Sequence, residues 1–330
     1  MYSSSFSSNL QQLLKSLKLG AIAYRLYYAP RNAARSSLRK GLWNTVVDAQ
    51  AQRRMEQAAY QLPTIPSDTS LPALEVHFLT GKKFWYQTCF CAVSLAQQTE
   101  LPIRPVIYDD GSLQKCYQEA IQRIFPNVKI FLKPELDVLI EEYLPQHRFP
   151  YLRDRRQYYP NIRKLTDVHL GNHGWKLVLD SDMLFFRPPT LLLNWLQAPQ
   201  APCYMVDTET SYGYPKPLME ALVQTEIPDR VNVGICGLNS DEIDWEQLEF
   251  WCKTMIEQQG THYYQEQALI AMLMAGKPCV IAPVENYIVM PNQEETIHPQ
   301  AILHHYVADS KPWYFRYGWR HIQKGDRIQA

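Results

Sequence analysis

Two carboxylates separated by a single residue stand inside an apolar run: the segment WKLVLDSDMLFFRPP, residues 175–189, carries Asp180 and Asp182 on either side of Ser181. Residues two apart on extended backbone project the same way, so both side chains can approach one cation, or one binds directly and the other through water. Burying two carboxylates among Leu177, Val178, Leu179, Met183, Leu184, Phe185 and Phe186 is costly without a cation or hydrogen-bond donors. The bland alternative is a surface turn with both aspartates solvated, and flanks this hydrophobic argue against it. An isolated Asp-x-Asp is a common accident; one set between a strand and a second apolar run is a better signal.

Further residues with usable chemistry follow downstream. In ILHHYVADSKPWYFRYGW, residues 302–319, an alternating strand sends His304 and His305 to opposite sides, so at most one of them joins the same metal cluster easily. The bland reading makes one a core histidine and the other an exposed one. Lys311, six residues after His305, reaches a phosphate as a point charge. The segment HYYQEQALIAMLMAG, residues 262–276, predicts a helix from near Gln265 to Gly276, with Glu266 and Gln267 in a first turn that can project into a cleft. A helix start also favours an acidic side chain, which gives Glu266 a structural reason to be there. In DRVNVGICGLN, residues 229–239, Asn232 either contacts a ligand or holds a turn, while Gly234 and Gly237 permit close approach of a ligand or a neighbouring strand. Upstream, Arg163 and Lys164 end the stretch RRQYYPNIRK, which reads as a phosphate- or sugar-binding cation site or as a solvated helix surface.

The elements that must position these residues have a definite order. Residues 73–81 (ALEVHFLTG) predict a buried strand, KFWYQTCFCAVSLAQQ a helix, residues 103–111 (IRPVIYDDG) a second strand, SLQKCYQEAIQRIF a second helix and residues 127–132 (NVKIFL) a third strand. That β-α-β-α-β order predicts an α/β fold with a mixed, mostly parallel central sheet flanked by helices. Such sheets bind ligands beyond the carboxyl ends of their strands, where Thr80, Gly81, Asp109 and Asp110 fall. The first strand is not followed by GxGxxG, so a bound diphosphate would have to be neutralised by something other than glycine amides.

Composition bounds the rest. In 330 residues, 33 Lys+Arg balance 33 Asp+Glu, so no overall field attracts nucleic acid and none is expected as a partner. The seven cysteines form no CxxC pair and read as free thiols packed as small hydrophobes. No signal-peptide core and no membrane-length apolar stretch is evident, which predicts a cytoplasmic catalytic body. Residues 1–60 read as a basic helical extension whose only charges before Asp48 are Lys15, Lys18, Arg25, Arg31, Arg35, Arg39 and Lys40. Periodicity leaves two placements open for it: peripheral contact with an anionic membrane at its cytoplasmic face, or packing on the catalytic domain. Residues 61–72 (QLPTIPSDTSLP) read as a linker, 73–320 as the catalytic domain and 321–330 as a C-terminal tail.

Taken in order over residues 73–319, these segments resemble the GT-A-fold retaining glycosyltransferases of the glycogenin and bacterial lipopolysaccharide galactosyltransferase family: FLTG closing a first strand, VLDSD, NVGICGLN, QEQALIA and HHYVADSKPW. The last is the most specific. The resemblance implies a nucleotide-diphospho-sugar transferase fold, with Asp180, Asp182 and His305 holding Mn2+ or Mg2+. It implies Lys311 on the donor phosphate, Asn232 in the donor pocket, and Glu266 and Gln267 at the reacting sugar. Thr80, Asp109, Arg163, Lys164 and Asp180 complete the expected donor site. The implied activity is transfer of a hexose from a nucleoside diphosphate sugar, a UDP-sugar by the resemblance, to a hydroxyl of a glycan or lipid-linked acceptor with retention of configuration. Two departures stand out: Ala308 occupies a glycine position, and Glu266 replaces the more usual aspartate.

Two other classes remain on the sequence alone. A nucleotidyltransferase acting on sugar phosphates shares the sheet and the metal-bound nucleotide, but favours a glycine- and lysine-rich loop after the first strand, where LTGKKFW offers one glycine with Lys82 and Lys83. A non-catalytic module would bind a sugar nucleotide or glycan through the same cluster without turnover.

Overall fold

The computed structural model describes residues 42–66 and 71–323. Expectations for residues 1–41, for 67–70 of the linker segment and for 324–330 of the tail lie outside the described residues. The chain divides into two compact units between Arg54 and Met55. Of the first, residues 42–54 lie on helix α1 (Leu42–Ala59); the second contains everything that follows. Among the described residues no helix is long and apolar enough to cross a membrane.

The predicted alternation is realised as β1 (Leu74–Thr80), α2 (Trp85–Gln97), β2 (Ile103–Asp109), α3 (Lys115–Ile124) and β3 (Lys129–Phe131). Next come α4 (Lys133–Tyr143), α5 (Pro150–Tyr158), α6 (Arg163–His169), β4 (Trp175–Leu179), β5 (Met183–Phe185), α7 (Thr190–Gln197) and β6 (Cys203–Val206). Then follow α8 (Lys216–Val223), β7 (Val231–Asn239), α9 (Trp245–Gln259), α10 (Gln265–Leu273), β8 (Val280–Ala282), β9 (Tyr287–Val289) and β10 (Leu303–His305), with short helical segments at Gln293–Ile297 before β10 and at Lys311–Trp313 and Arg320–Gln323 after it.

Seven strands form the main sheet in the order β3-β2-β1-β4-β7-β6-β8. All neighbours pair in parallel except at β7, which runs antiparallel to both β4 and β6. The sheet is therefore mixed and mostly parallel. A second, three-stranded sheet, β5-β10-β9, was not expected from the sequence, although its strand around ILHHYV was.

Both faces of the main sheet are covered, which is why its strands are mostly apolar. The alternation of β4 shows the division: Leu177 and Leu179 enter one core with Phe90, Phe185 and Tyr287, whereas Val178 enters the other with Tyr108, Trp251 and Leu269. Full burial of each such side chain contributes about 1.5–3 kcal/mol. Met55, Ala58 and Ala59, in the last turn of α1, belong to the first core. The segment read as a linker is partly pinned. Leu62 is buried and its carbonyl accepts from the Arg123 guanidinium at 2.9 Å, while the Ile65 amide donates to the Ile124 carbonyl at 2.8 Å.

Candidate active site

Asp180 immediately follows β4 and Asp182 immediately precedes β5, so the pair occupies the short joint between the two sheets. The Asp180 amide donates to the Gly234 carbonyl at 2.9 Å, prolonging the β4–β7 ladder by one bond, and the Asp182 carbonyl accepts from the Tyr306 amide at 2.9 Å. The pairing of His305 with Met183 in the small sheet brings the histidine one residue from Asp182. Its Nε2 lies 3.2 Å from Asp182 Oδ1 and 3.6 Å from Asp180 Oδ2. One ligand atom from each of Asp180, Asp182 and His305 can be chosen so that all lie within 4.8 Å of one another. His304 faces the other way, with Nε2 2.9 Å from Glu295 Oε1 and Nδ1 2.9 Å from the Tyr306 hydroxyl. The period of two has thus separated adjacent histidines into different environments.

Two lysines flank the carboxylates. Lys311 pairs with Asp182 Oδ2, and buried Lys164 sits 2.7 Å from Asp180 Oδ1 and 3.1 Å from Glu266 Oε1. Burial disfavours the charge of Lys164, but Asp180 and Glu266 outweigh it and hold the ammonium well above its ordinary range. Burial likewise pushes the Asp182 carboxyl up, and Lys311 and His305 more than reverse this, holding it well below the usual carboxylate range. Glu266 behaves differently: burial raises it to about 7 against the pull of Lys164, and the nearby Asp180 charge adds to the rise. The two ends of the Lys164–Glu266 contact do not respond alike because Lys164 lies between two carboxylates, whereas Glu266 has one cation and is repelled by Asp180.

These groups line a cavity of about 620 Å³, a size that suits a nucleotide-sized ligand. Asp180, Asp182, His305, Lys311, Lys164, Asn232, Glu266 and Gln267 all reach it. Three expected ligand contacts do not: Thr80, Asp109 and Arg163 support the wall from behind. Thr80 Oγ1 is buried against Thr88 Oγ1 at 2.9 Å. Asp109 Oδ1 accepts from the amides of Gly111 and Leu113, fixing the turn after β2, and its neighbour Asp110 lines the cavity instead. Arg163 donates to the Asp110 carbonyl at 2.6 Å and the Arg156 carbonyl at 3.2 Å. Nor is RRQYYPNIRK a solvated surface, since Arg155, Arg156, Arg163 and Lys164 are all buried. Arg156 is held by Asp167 and Asp137.

Asn232 both reaches the cavity and holds a turn, its Oδ1 accepting from the Gly234 amide at 2.9 Å. The Gln267 amide nitrogen donates to Asp207 Oδ2 at 3.3 Å and to the Ser211 carbonyl at 3.0 Å, tying down a wall segment that also presents Glu209. That segment, and Tyr263 and Tyr264 beside α10, were not singled out from the sequence. They lie in irregular connections without periodic signal.

No protein-family model matches the chain, and no curated protein matches it. Solved structures do. A galactosyltransferase, LgtC, in complex with donor and acceptor sugar analogues is 15% identical over 76% of this chain and 94% of its own, with a TM-score of 0.49. Mouse xyloside xylosyltransferase 1 is 10% identical over 71% of this chain and 97% of its own, at 0.47. The glycosyltransferase GlyE of Streptococcus pneumoniae is 11% identical over 77% of this chain and 63% of its own, at 0.44.

The Asp180, Asp182 and His305 set fits a divalent cation on its own chemistry. Two carboxylates and one imidazole suit Mn2+ or Mg2+ with positions left for substrate oxygens. Both ring nitrogens of His305 are buried without a hydrogen-bond partner in the protein, and bonding to a cation would satisfy Nε2. Among the described residues this is the one such group of three.

Proposed function

We propose that this chain transfers a hexose from a nucleoside diphosphate sugar, a UDP-sugar by the sequence resemblance, to a hydroxyl of a glycan or lipid-linked acceptor with retention of configuration. The observation that carries the reading is the convergence of Asp180, Asp182 and His305, from a strand end and a segment more than a hundred residues away, at one side of a cavity already furnished with Lys311 and Lys164. Asp180, Asp182 and His305 would hold Mn2+ or Mg2+. When bound, the cation supplies Lewis-acid stabilisation to a departing diphosphate.

The chain's own groups divide the remaining work. Lys311, partly exposed at the cavity wall, meets the phosphate charge; buried Lys164, fixed by Asp180, keeps a second positive centre beside the donor. Glu266 and Asn232 orient the donor sugar. Gln267 shapes the wall through the bonds of its amide nitrogen to Asp207 and Ser211. No protein acid is needed to protonate so stabilised a leaving group.

The test is donor hydrolysis and transfer by wild type and Asp182→Ala with Mn2+ present. Removing one charged, metal-facing oxygen donor is expected to lower turnover by about 10²–10³-fold, and chelator is expected to silence wild type. Unchanged activity in the variant together with insensitivity to chelator would eliminate the reading. Release of nucleoside diphosphate supports glycosyl transfer; release of pyrophosphate supports a nucleotidyltransferase. Tight donor binding with neither transfer nor hydrolysis supports a non-catalytic module.

A further inference from the structure

Gly234 sits in the middle of β7, the reversed strand, yet its φ is not in the left-handed region that favours glycine. Its identity therefore needs another reason, and space supplies one. A Cβ built on Gly234 would lie 2.5 Å from His305 Cε1, 2.6 Å from His305 Nδ1 and 2.9 Å from Asn232 Oδ1. Side-chain carbons do not approach other atoms this closely.

The local backbone explains how the imidazole comes so near. Pairing between β6 and β7 is regular at Tyr204 with Cys236, then shifts so that Met205 faces Asn232, leaving residues 233–235 bulged between the two pairs. Within the bulge the Gly234 amide is taken by Asn232 Oδ1, and its carbonyl accepts from the Asp180 amide. One residue thus anchors the first aspartate through its backbone and gives the histidine ring a seat through its missing side chain. His305 is buried and has no hydrogen-bond partner on Nδ1, the atom through which a ligating histidine is usually oriented by an outer acceptor.

We infer that Gly234 is a positioning residue for the cation site: its bare Cα surface takes the place of that outer hydrogen bond and sets how far His305 Nε2 reaches toward Asp180 and Asp182. The inference rests on the metal reading of this site.

The test is a cycle of wild type, Gly234→Ala, His305→Ala and the double variant, with Mn2+ binding measured by electron paramagnetic resonance and stability by thermal unfolding. Gly234→Ala is expected to weaken Mn2+ binding by about 10–100-fold, the usual consequence of losing an outer-shell contact, and to lower Tm. In the His305→Ala background, where the clashing ring is gone, the same substitution is expected to leave Mn2+ affinity unchanged and to cost less Tm. Wild-type Mn2+ affinity in Gly234→Ala, or equal losses in both backgrounds, would overturn the positioning role while leaving the metal site intact. Absence of Mn2+ binding by wild type would instead sink the metal reading, and this inference with it. If Gly234→Ala alone fails to fold, a folded double variant supports the inference and an unfolded one overturns it.

Discussion

Ala308 adopts φ 45°, left-handed backbone, at the cavity wall three residues before Lys311. For a residue with a Cβ that conformation costs about 1–2 kcal/mol. Replacing Ala308 with glycine removes the clash but loosens the unfolded chain, which returns about 0.4–1 kcal/mol. The difference is a net stabilisation of roughly 1 kcal/mol, equivalent to about 2–4 °C in Tm for a domain of this class. The sign separates two explanations. Ala308 also opens a short 3-10 turn, Ala308–Ser310, and glycine in an ordinary helical position would instead destabilise by about 1 kcal/mol. Urea unfolding of wild type and Ala308→Gly, with thermal scans alongside, decides between them. A rise in midpoint is expected for Ala308→Gly and a fall for Ala308→Val, whose branched side chain is still less tolerant of positive φ. A midpoint lowered by Ala308→Gly would refute the strain argument.

Lys164→Met leaves buried Glu266 and half-buried Asp180 without their shared cation, a loss of about 3 kcal/mol, toward the low end of that seen when one partner of a buried ion pair is removed. Because Glu266 takes up a proton near pH 7, the loss should be smaller at pH 6 than at pH 8.5; equal losses in urea unfolding at the two pH values would contradict the assigned charge on Glu266. His77 and His169 are buried and lowered to about 3, by burial first and by neighbouring positive charge second. The unfolded chain therefore binds protons that the folded one refuses between pH 6.5 and 3, so stability is full above that window and falls on acidification by on the order of 2 kcal/mol per histidine at pH 5. His77→Phe should flatten the loss measured between pH 7 and pH 5, and an unaltered pH dependence would show that His77 contributes nothing to it.

The element order, the carboxylate pair and the separation of the two histidines were legible because each rests on periodicity or on a polar group set in an apolar run, whereas the choice of His305 over His304 came from the family resemblance. What remained hidden were choices between sequence neighbours. Asp109 closes β2 and Asp110 follows it, and only the turn made by the Gly111 and Leu113 amides decides which is consumed. Arg163 and Lys164 open one helix, and the direction of each side chain depends on where Asp110 and Asp180 arrive from elsewhere. The solvated reading of RRQYYPNIRK stayed open beside the ligand-binding one because Asp137 and Asp167, which neutralise Arg156, lie eleven or more residues away and no local spacing links them. Ala308 was visible as a departure from a glycine pattern, but its left-handed backbone was not.

Because the small sheet joins β5 to β10, Asp182 and His305 become neighbours only when Met183 finds a strand 122 positions further along. Closure over so long an intervening chain is slow compared with local helix formation. During synthesis the carboxylate pair leaves the ribosome well before its imidazole exists, so a nascent chain cannot complete the three-ligand set. Occupancy of that set would then report that the two ends of the domain have met.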